Sequence, residues 1–230
     1  MAIALSSRVY RIPTFGDYIN SFAFLEDDGS VTLVDCGLKR APGAIVRGLE
    51  ALGRRPSDVQ RIVLTHAHED HAGGAAHMVA ATAAPGVSVH SEEAQYARTG
   101  SRPPIPRTLF SRLRSGGFAP VPVVDELHDG QVLDIAGGVQ VLHTPGHTPG
   151  HISLLHPDSG VLITGDSIFN MNARMRWPIA ALCTNAVQNE QTAARLADAE
   201  YTTAAFTHGP HIAQTGREAI RSFLRRTSAR

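Results

Sequence analysis

The stretch T-H-A-H-E-D-H, residues 65–71, directly follows the apolar run 62–64. Within it lie four candidate metal ligands, His66, His68, Asp70 and His71. The apolar run predicts a buried strand, and the two-residue period of extended backbone puts His66 and His68 on one face, where two imidazoles can bind one ion. A helix-like stretch begins at Asp70, so Asp70 and His71 leave in a new direction and suit a second ion. The segment predicts a metal centre, with a polar loop of exposed histidines as the alternative.

The ligand types indicate which metals suit this segment. Zinc accepts imidazole nitrogen and carboxylate oxygen readily, whereas calcium and magnesium prefer oxygen ligands throughout. Zinc is therefore the first expectation. Iron and manganese stay admissible, because metal availability decides much of the selection.

Composition sets the background for this centre. With 230 residues, 43% of them hydrophobic, the chain can bury a large core and is predicted to form a single domain over residues 1–230. Its 21 basic and 21 acidic side chains cancel, which argues against a nucleic-acid-binding surface. Residues 1–13 lack the apolar core of a signal peptide and no stretch is long enough to span a membrane, so we expect a cytoplasmic protein. Cys36 and Cys183 are too few for a disulfide framework and are expected to be reduced thiols.

Hydrophobic periodicity predicts alternating strands and helices. Strands are predicted at 9–12, 19–25, 31–34, around 62, 87–90, 139–143, 152–156, 161–164 and 202–206, and helices at 42–52, 72–79, 92–97, 185–197 and 216–226. Two similar successions of this kind imply an α/β sandwich of sheets with helices outside.

Residues 98–122 depart from this alternation. They contain five arginines and five prolines but no acidic residue, a basic insertion in a neutral chain. One interpretation is a solvated surface loop, and the other is a lid that recognises an anionic part of a substrate. The sequence does not decide between them.

Further candidate ligands follow other predicted strands. His147 lies in the turn-rich segment 143–151, Asp166 comes just after the strand 161–164, and His208 follows the strand 202–206. Several strand ends at one sheet edge are where a site is usually assembled. We therefore expect these side chains to meet those of residues 65–71.

With these residues, the chain resembles the metallo-β-lactamase fold superfamily. The resemblance rests on five ordered motifs from Asp35 to His208: V-D-C-G at 34–37, the run 66–71, T-P-G-H-T at 144–148, T-G-D-S at 164–167 and H-G-P at 208–210. It implies a four-layer αββα sandwich with two metal ions at one edge. The ligand assignments it implies are His66, His68 and His147 for the first ion, Asp70, His71 and His208 for the second, Asp166 as the bridge between them, and Asp35 as a residue that orients a ligand or loop by hydrogen bonds.

Three residues compete with these assignments. His151 also lies in the third motif, but members resembling this chain use the earlier histidine, so His151 is predicted to be structural. His208 ends the strand and precedes Gly-Pro as in the family pattern, so it is preferred to His211. Cys36 is predicted to be a packed thiol.

The resemblance also implies a reaction. Two divalent ions can share a water and lower its pKa towards neutrality, and they polarise a substrate carbonyl. Asp70 can accept a hydrogen bond from the hydroxide and pass a proton to the leaving group. The prediction is hydrolysis of an activated carbonyl compound, a thioester or a lactone or other ester, by a glyoxalase II-like or lactonase-like member. The alternatives are a phosphodiesterase or nuclease of the same fold and a non-catalytic metal-binding module.

The substrate pocket is less clearly marked than the ligands. Glyoxalase II-like members carry a helical domain after the last ligand, whereas 22 residues follow His208 in this sequence. Lactonase members carry a tyrosine at the position where this sequence has Phe169. The pocket is predicted to involve Phe169, Arg174, Arg176 and Trp177 together with the basic insertion. Arg174 or Arg176 is expected to pair with an anionic group of a small-molecule substrate. For Trp177, simple packing is the alternative to an apolar wall of the pocket.

Overall fold

Two β-sheets packed face to face form the centre of the molecule, as shown by a computed structural model that describes residues 1–106 and 117–228. The first sheet has seven strands in sequence order. They are β1 (Ile3–Ala4), β2 (Val9–Phe15), β3 (Ile19–Leu25), β4 (Val31–Val34), β5 (Val59–Val63), β6 (Val87–His90) and β7 (Val123–Leu127). The strands β1 to β4 pair antiparallel, whereas β4 to β7 pair parallel.

The second sheet has five strands in the order β12-β11-β10-β9-β8. They are β8 (Val132–Leu133), β9 (Val139–His143), β10 (Ile152–His156), β11 (Val161–Ile163) and β12 (Thr203–Ala205). All its pairs are antiparallel except β11 with β12.

Helices cover the outer face of each sheet. On the first lie α1 (Pro42–Glu50), α2 (Glu69–Ala72), α3 (Ala75–Ala81) and α4 (Ser91–Thr99), and on the second α5 (Ala186–Ala193), α6 (Arg195–Asp198) and α7 (Gly216–Ser228). Three buried apolar clusters lie between helices and first sheet, between the sheets, and between second sheet and helices. This layering confirms the predicted αββα sandwich. None of the helices within the described ranges has the length and apolar character needed to cross a membrane.

The helix predicted at 72–79 is two short helices, α2 and α3, separated by Gly73 and Gly74. A Cβ on Gly73 would lie 2.8 Å from the nitrogen of Lys39, and one on Gly74 would lie 2.3 Å from the carbonyl oxygen of Cys36. The close approach of the loop after β4 therefore requires glycine at both positions. This contact brings Asp35 beside the segment 65–71.

The strand β7 and the two-residue strands β1 and β8 were not predicted. In β7 only Leu127 is buried, so this edge strand lacks the alternation that marks a half-buried strand. The basic segment also begins later than its composition indicates. Arg98 belongs to α4 and forms an ion pair with Glu126 at 2.7 Å, and the arginines at 107, 112 and 114 lie outside the described residues.

Candidate metal centre

Strand ends gather the candidate ligands at one edge of the sandwich. Asp35 follows β4, and the segment 65–71 follows the neighbouring parallel strand β5. In the second sheet, Asp166 and His208 follow the parallel pair β11 and β12. The turn between β9 and β10 adds His147. The structure thus brings together every residue predicted as a ligand.

Three imidazoles form the first ligand group. The Nδ1 atom of His68 lies 3.1 Å from Nε2 of His66 and 2.9 Å from Nε2 of His147. All three side chains are buried, with exposures of 0% for His66, 8% for His68 and 3% for His147. Three ring nitrogens converging in this way suit one ion that accepts nitrogen ligands.

Asp70, His71 and His208 form the second ligand group. The Nε2 atom of His208 lies 3.4 Å from Asp70 Oδ2, and Nε2 of His71 lies 3.9 Å from Asp70 Oδ1. The two histidines are buried, whereas Asp70 is about one third exposed. A second ion with mixed nitrogen and oxygen ligands would fit here.

Asp166 lies between the two groups. Its Oδ2 atom is 3.2 Å from Nε2 of His147 and 3.3 Å from Nε2 of His208, and Oδ1 is 3.3 Å from Nε2 of His71. The carboxylate therefore faces ligands of both groups. This is the geometry expected of a bridging ligand.

Asp35 orients histidines of both groups. Its Oδ2 atom accepts hydrogen bonds from Nδ1 of His71 and from the hydroxyl of Thr65, each at 2.8 Å, and Oδ1 accepts from the Thr65 amide at 2.8 Å. The Thr65 hydroxyl in turn lies 3.1 Å from Nδ1 of His66. With Nδ1 of each ring donating its proton, Nε2 of His71 and of His66 is left as a lone pair for an ion. Asp35 itself has a positive φ of 57°, so the turn after β4 is shaped for this contact.

Two further histidines, His208 and His147, also make contacts through Nδ1. His208 donates from Nδ1 to the backbone oxygen of Tyr18 at 2.7 Å. Nδ1 of His147 lies 3.5 Å from the sulfur of Cys183, a contact that the sequence did not indicate. Burial, and then the negative charge of Asp166, raises the pKa of the Cys183 thiol to about 12, so this residue is a neutral partner at physiological pH.

One atom tests directly whether these residues fit a metal. Nε2 of His71 is buried and has no hydrogen-bond partner, although an unsatisfied buried polar atom costs about 1–3 kcal/mol. It points towards Asp166 and Asp70, where an ion of the second group would lie. The orphaned nitrogen, the convergent imidazoles and the central carboxylate together fit divalent ions that accept nitrogen and oxygen ligands.

The electrostatics of the two groups differ. Burial, followed by the neighbouring imidazoles, holds the pKa of His66 and of His68 well below the usual range. Burial also disfavours the charged form of His208, but Asp166 and Asp70 outweigh it and raise its pKa to about 10. For Asp166, attraction to His208, His71 and His147 outweighs burial and holds its pKa well below the usual range. The second ligand group therefore favours a positive charge next to the carboxylates of Asp166 and Asp70.

The competing residues take structural positions. Nε2 of His151 accepts a hydrogen bond from the Asp166 amide at 2.7 Å, so this lone pair is occupied and His151 supports the bridging residue. Cys36 is fully buried, and burial raises the pKa of its thiol well above the usual value. His211 belongs to none of the ligand groups found among the described residues. The positions of His151 and Cys36 agree with the structural and packed roles predicted for them.

A cavity of about 300 Å³ opens onto the metal centre. Besides the candidate ligands, it is lined by Ile19, Leu38, Glu69, Arg102, Ile105, Gly117, Phe118, Phe169, Met171, Ile179 and Leu182. Phe169 lies against His208, with ring centroids 4.4 Å apart, which places this predicted pocket residue at the cavity. Most of the lining is apolar, and Arg102 comes from the basic segment.

The other three predicted pocket residues do not line this cavity. Residues 169 and 176 pair through their backbones at 2.9 and 3.0 Å, so the chain between them folds back as a narrow hairpin. Arg174 and Arg176 are exposed on this hairpin, and Trp177 packs on Phe223 in the core beside α7, with ring centroids 4.8 Å apart. Arg174 and Arg176 do not reach the cavity as predicted, because sequence proximity to Asp166 does not fix the direction in which a loop side chain points. Trp177 takes the packing role that was its alternative.

Known proteins resemble this chain in sequence and in fold. It is 32% identical over 154 residues to the probable metallo-hydrolase YflN of Bacillus subtilis, covering 62% of this chain and 57% of that protein. It is also 32% identical over 164 residues to a hydroxyacylglutathione hydrolase of Cereibacter sphaeroides, covering 70% of this chain and 51% of that protein. The chain thus matches about half the length of these relatives.

A solved metallo-beta-lactamase from Cronobacter sakazakii, a mutant of its HARLDQ motif, superposes with a TM-score of 0.77 at 23% identity. The match covers 99% of this chain and 95% of that one, and it shows the shared fold. The family model described as the metallo-beta-lactamase superfamily matches residues 15–219. The chain belongs to the metallo-beta-lactamase superfamily.

Proposed function

We propose that the chain is a binuclear metal-dependent hydrolase that cleaves esters, thioesters or lactones with an apolar acyl group. The position of Asp166 carries this proposal, since one buried carboxylate faces histidines of both ligand groups within 3.3 Å. In this assignment His66, His68 and His147 hold one ion, Asp70, His71 and His208 hold the other, and Asp166 bridges them. Zinc fits the donor set, and iron and manganese are the alternatives.

Bound together, two such ions would supply a hydroxide at neutral pH and a Lewis acid for the substrate carbonyl. The protein residues supply position and proton transfer. Asp70 is the candidate proton carrier, because its partly exposed carboxylate lies both in the second ligand group and in the wall of the cavity. Phe169 lies against His208 in the wall of the cavity and would limit the access of water from that side.

The cavity lining supports an apolar acyl group. Phe118, Leu182 and Met171 present apolar surface next to the ligands, so an acyl chain placed there would leave its carbonyl near Asp166. Arg102 takes the place of Arg174 and Arg176 as the candidate contact for an anionic group, since it is the arginine that lines the cavity among the described residues. The hydroxyacylglutathione hydrolase relative supports a thioester as one member of this class.

Metal counting combined with a substrate panel tests the proposal. Protein purified without chelator and reloaded with zinc is expected to bind two ions per chain and to hydrolyse p-nitrophenyl esters, acyl thioesters or acyl lactones. A chelator should remove the activity, and zinc should restore it. Stoichiometric metal without turnover of any of the three classes would contradict the hydrolase assignment, and fewer than one ion per chain would contradict the binuclear one.

A shorter side chain in the cavity wall is expected to alter selectivity for acyl length. Leu182→Ala should raise KM for an octanoyl ester about fivefold and leave an acetyl ester nearly unchanged, because about 1 kcal/mol of apolar contact is lost only to the long chain. Val187→Ala is the matched control, since Val187 is 66% exposed and outside the cavity. Equal effects of Leu182→Ala on both esters would place the acyl group elsewhere.

A further inference from the structure

A fully buried carboxylate joins the two loops that carry the first ligand group. Glu93 lies in the first turn of α4 and has 0% exposure. Its Oε2 atom accepts a hydrogen bond from the amide of Ala67, and Oε1 accepts one from the amide of Gly150, each at 2.8 Å. Ala67 separates His66 from His68, and Gly150 lies three residues after His147. One carboxylate therefore touches both loops at their backbones.

Gly150 allows Glu93 to approach the turn between β9 and β10 closely. A Cβ at Gly150 would lie 2.8 Å from Cγ of Glu93 and 2.9 Å from the Glu93 amide nitrogen. Any larger residue would push α4 away from the turn. The close contact with Glu93 therefore explains why the segment T-P-G-H-T-P-G, residues 144–150, ends in a second glycine.

Burying a carboxylate here has a cost that hydrogen bonding only partly offsets. Burial raises the pKa of Glu93 to about 7, although the amides of Gly150 and Ala67 act in the opposite direction. An apolar side chain would fill the same space without this cost, but it could not accept two amide protons. Two acceptor oxygens at a fixed separation are what distinguish glutamate at this position.

The Glu93 contacts affect the spacing of two candidate ligands, His68 and His147. Nδ1 of His68 and Nε2 of His147 come from segments 79 residues apart, yet they lie 2.9 Å from each other. Because these two rings belong to loops from distant parts of the chain, contacts outside the rings must hold the loops in place. The Glu93 carboxylate supplies such contacts through one hydrogen bond to each loop.

We propose that Glu93 is a positioning residue that fixes the first ligand group before metal binds. This inference rests on the proposed function for the identity of the ligand group. Glu93, on α4, belongs to neither ligand group and does not line the cavity. Its effect is transmitted through the backbone of residues 66–68 and 147–151.

Glu93→Gln tests the proposal, because an amide retains one acceptor oxygen and turns an NH₂ group towards the other loop. In metal-free protein, we expect faster hydrogen exchange at the amides of Ala67 and Gly150 but not in β5 or β10. Competition with a chelator should show the affinity for the first ion reduced about 10- to 100-fold. The absorption bands of the cobalt-substituted centre should shift. Glu92→Gln, a change of the exposed neighbouring acid, is expected to match the wild type in all three measurements.

These measurements distinguish a positioning role of Glu93 from a role in stability alone. Wild-type exchange rates, cobalt spectrum and metal affinity in folded Glu93→Gln protein would overturn the proposal, as would a general loss of stability with unchanged affinity. If Glu93→Gln does not fold, Glu93→Asp provides the same readouts, since its shorter side chain can reach only one of the two amides. A wild-type chain that binds no metal would refute the proposed function, while the exchange rates of the metal-free protein would still report on the Glu93 contacts.

Discussion

Replacing Asp166 with Asn is expected to lower kcat/KM by about 10³-fold and to reduce the bound metal from two ions per chain towards one. The Asp166 carboxylate lies within 3.3 Å of histidines from both ligand groups, so its charge acts on both proposed ions. A neutral amide has nearly the same shape but cannot bridge two cations with two anionic oxygens. A loss of about 4 kcal/mol in transition-state stabilisation corresponds to this factor. Steady-state kinetics and elemental analysis on the same preparation measure both effects.

Asp158→Asn provides the control for the Asp166 change. Asp158 is an exposed carboxylate in the turn after β10, outside the cavity at the metal centre. This variant should retain full activity and metal content. Activity of Asp166→Asn within about threefold of the wild type at full metal loading would show that Asp166 does not bridge the ions.

The convergence of the candidate ligands could be predicted from the sequence because each of these residues is marked by a local signal. His66, His68, Asp70 and His71 are adjacent in the chain, and Asp166 and His208 each follow a short apolar run. Parallel pairing of β4 with β5 and of β11 with β12 then brings these strand ends to one edge. The αββα layers follow from the same alternation of strands and helices. The roles of these residues as ligands remain a prediction that the metal measurements test.

The supporting contacts could not be predicted because they join distant segments. Glu93 meets the amides of Ala67 and Gly150 across 26 and 57 residues, and Cys183 meets His147 across 36. No periodicity marks an acidic residue in a helical first turn as buried, since such residues are usually exposed. Arg174 and Arg176 do not reach the cavity for a related reason. The backbone pairing between residues 169 and 176 sets the direction of the hairpin that carries them, and the local sequence does not mark this pairing. Arg102, by contrast, lies in the basic segment whose composition was recognised.

Asp70→Asn is expected to reduce kcat by about 10³-fold, with KM changed less than about threefold. General acid and base catalysis by a positioned side chain contributes roughly 10²- to 10⁴-fold, and Asn cannot carry a proton. Glu69→Gln is the matched control, because Glu69 is the neighbouring acid, is exposed and also lines the cavity. Its substitution should leave kcat nearly unchanged.

The leaving group separates the two roles proposed for Asp70. If Asp70 only holds an ion, Asp70→Asn should slow the hydrolysis of every ester by the same factor. If it also passes a proton to the leaving group, alkyl esters and lactones should lose more rate than p-nitrophenyl esters, because p-nitrophenolate departs without protonation whereas an alkoxide does not. The position of Asp70, with Oδ2 3.4 Å from His208 and a carboxylate one third exposed to the cavity, serves both roles. We therefore expect a difference of about tenfold or more between alkyl and p-nitrophenyl esters of the same acid, and equal losses would restrict Asp70 to metal binding.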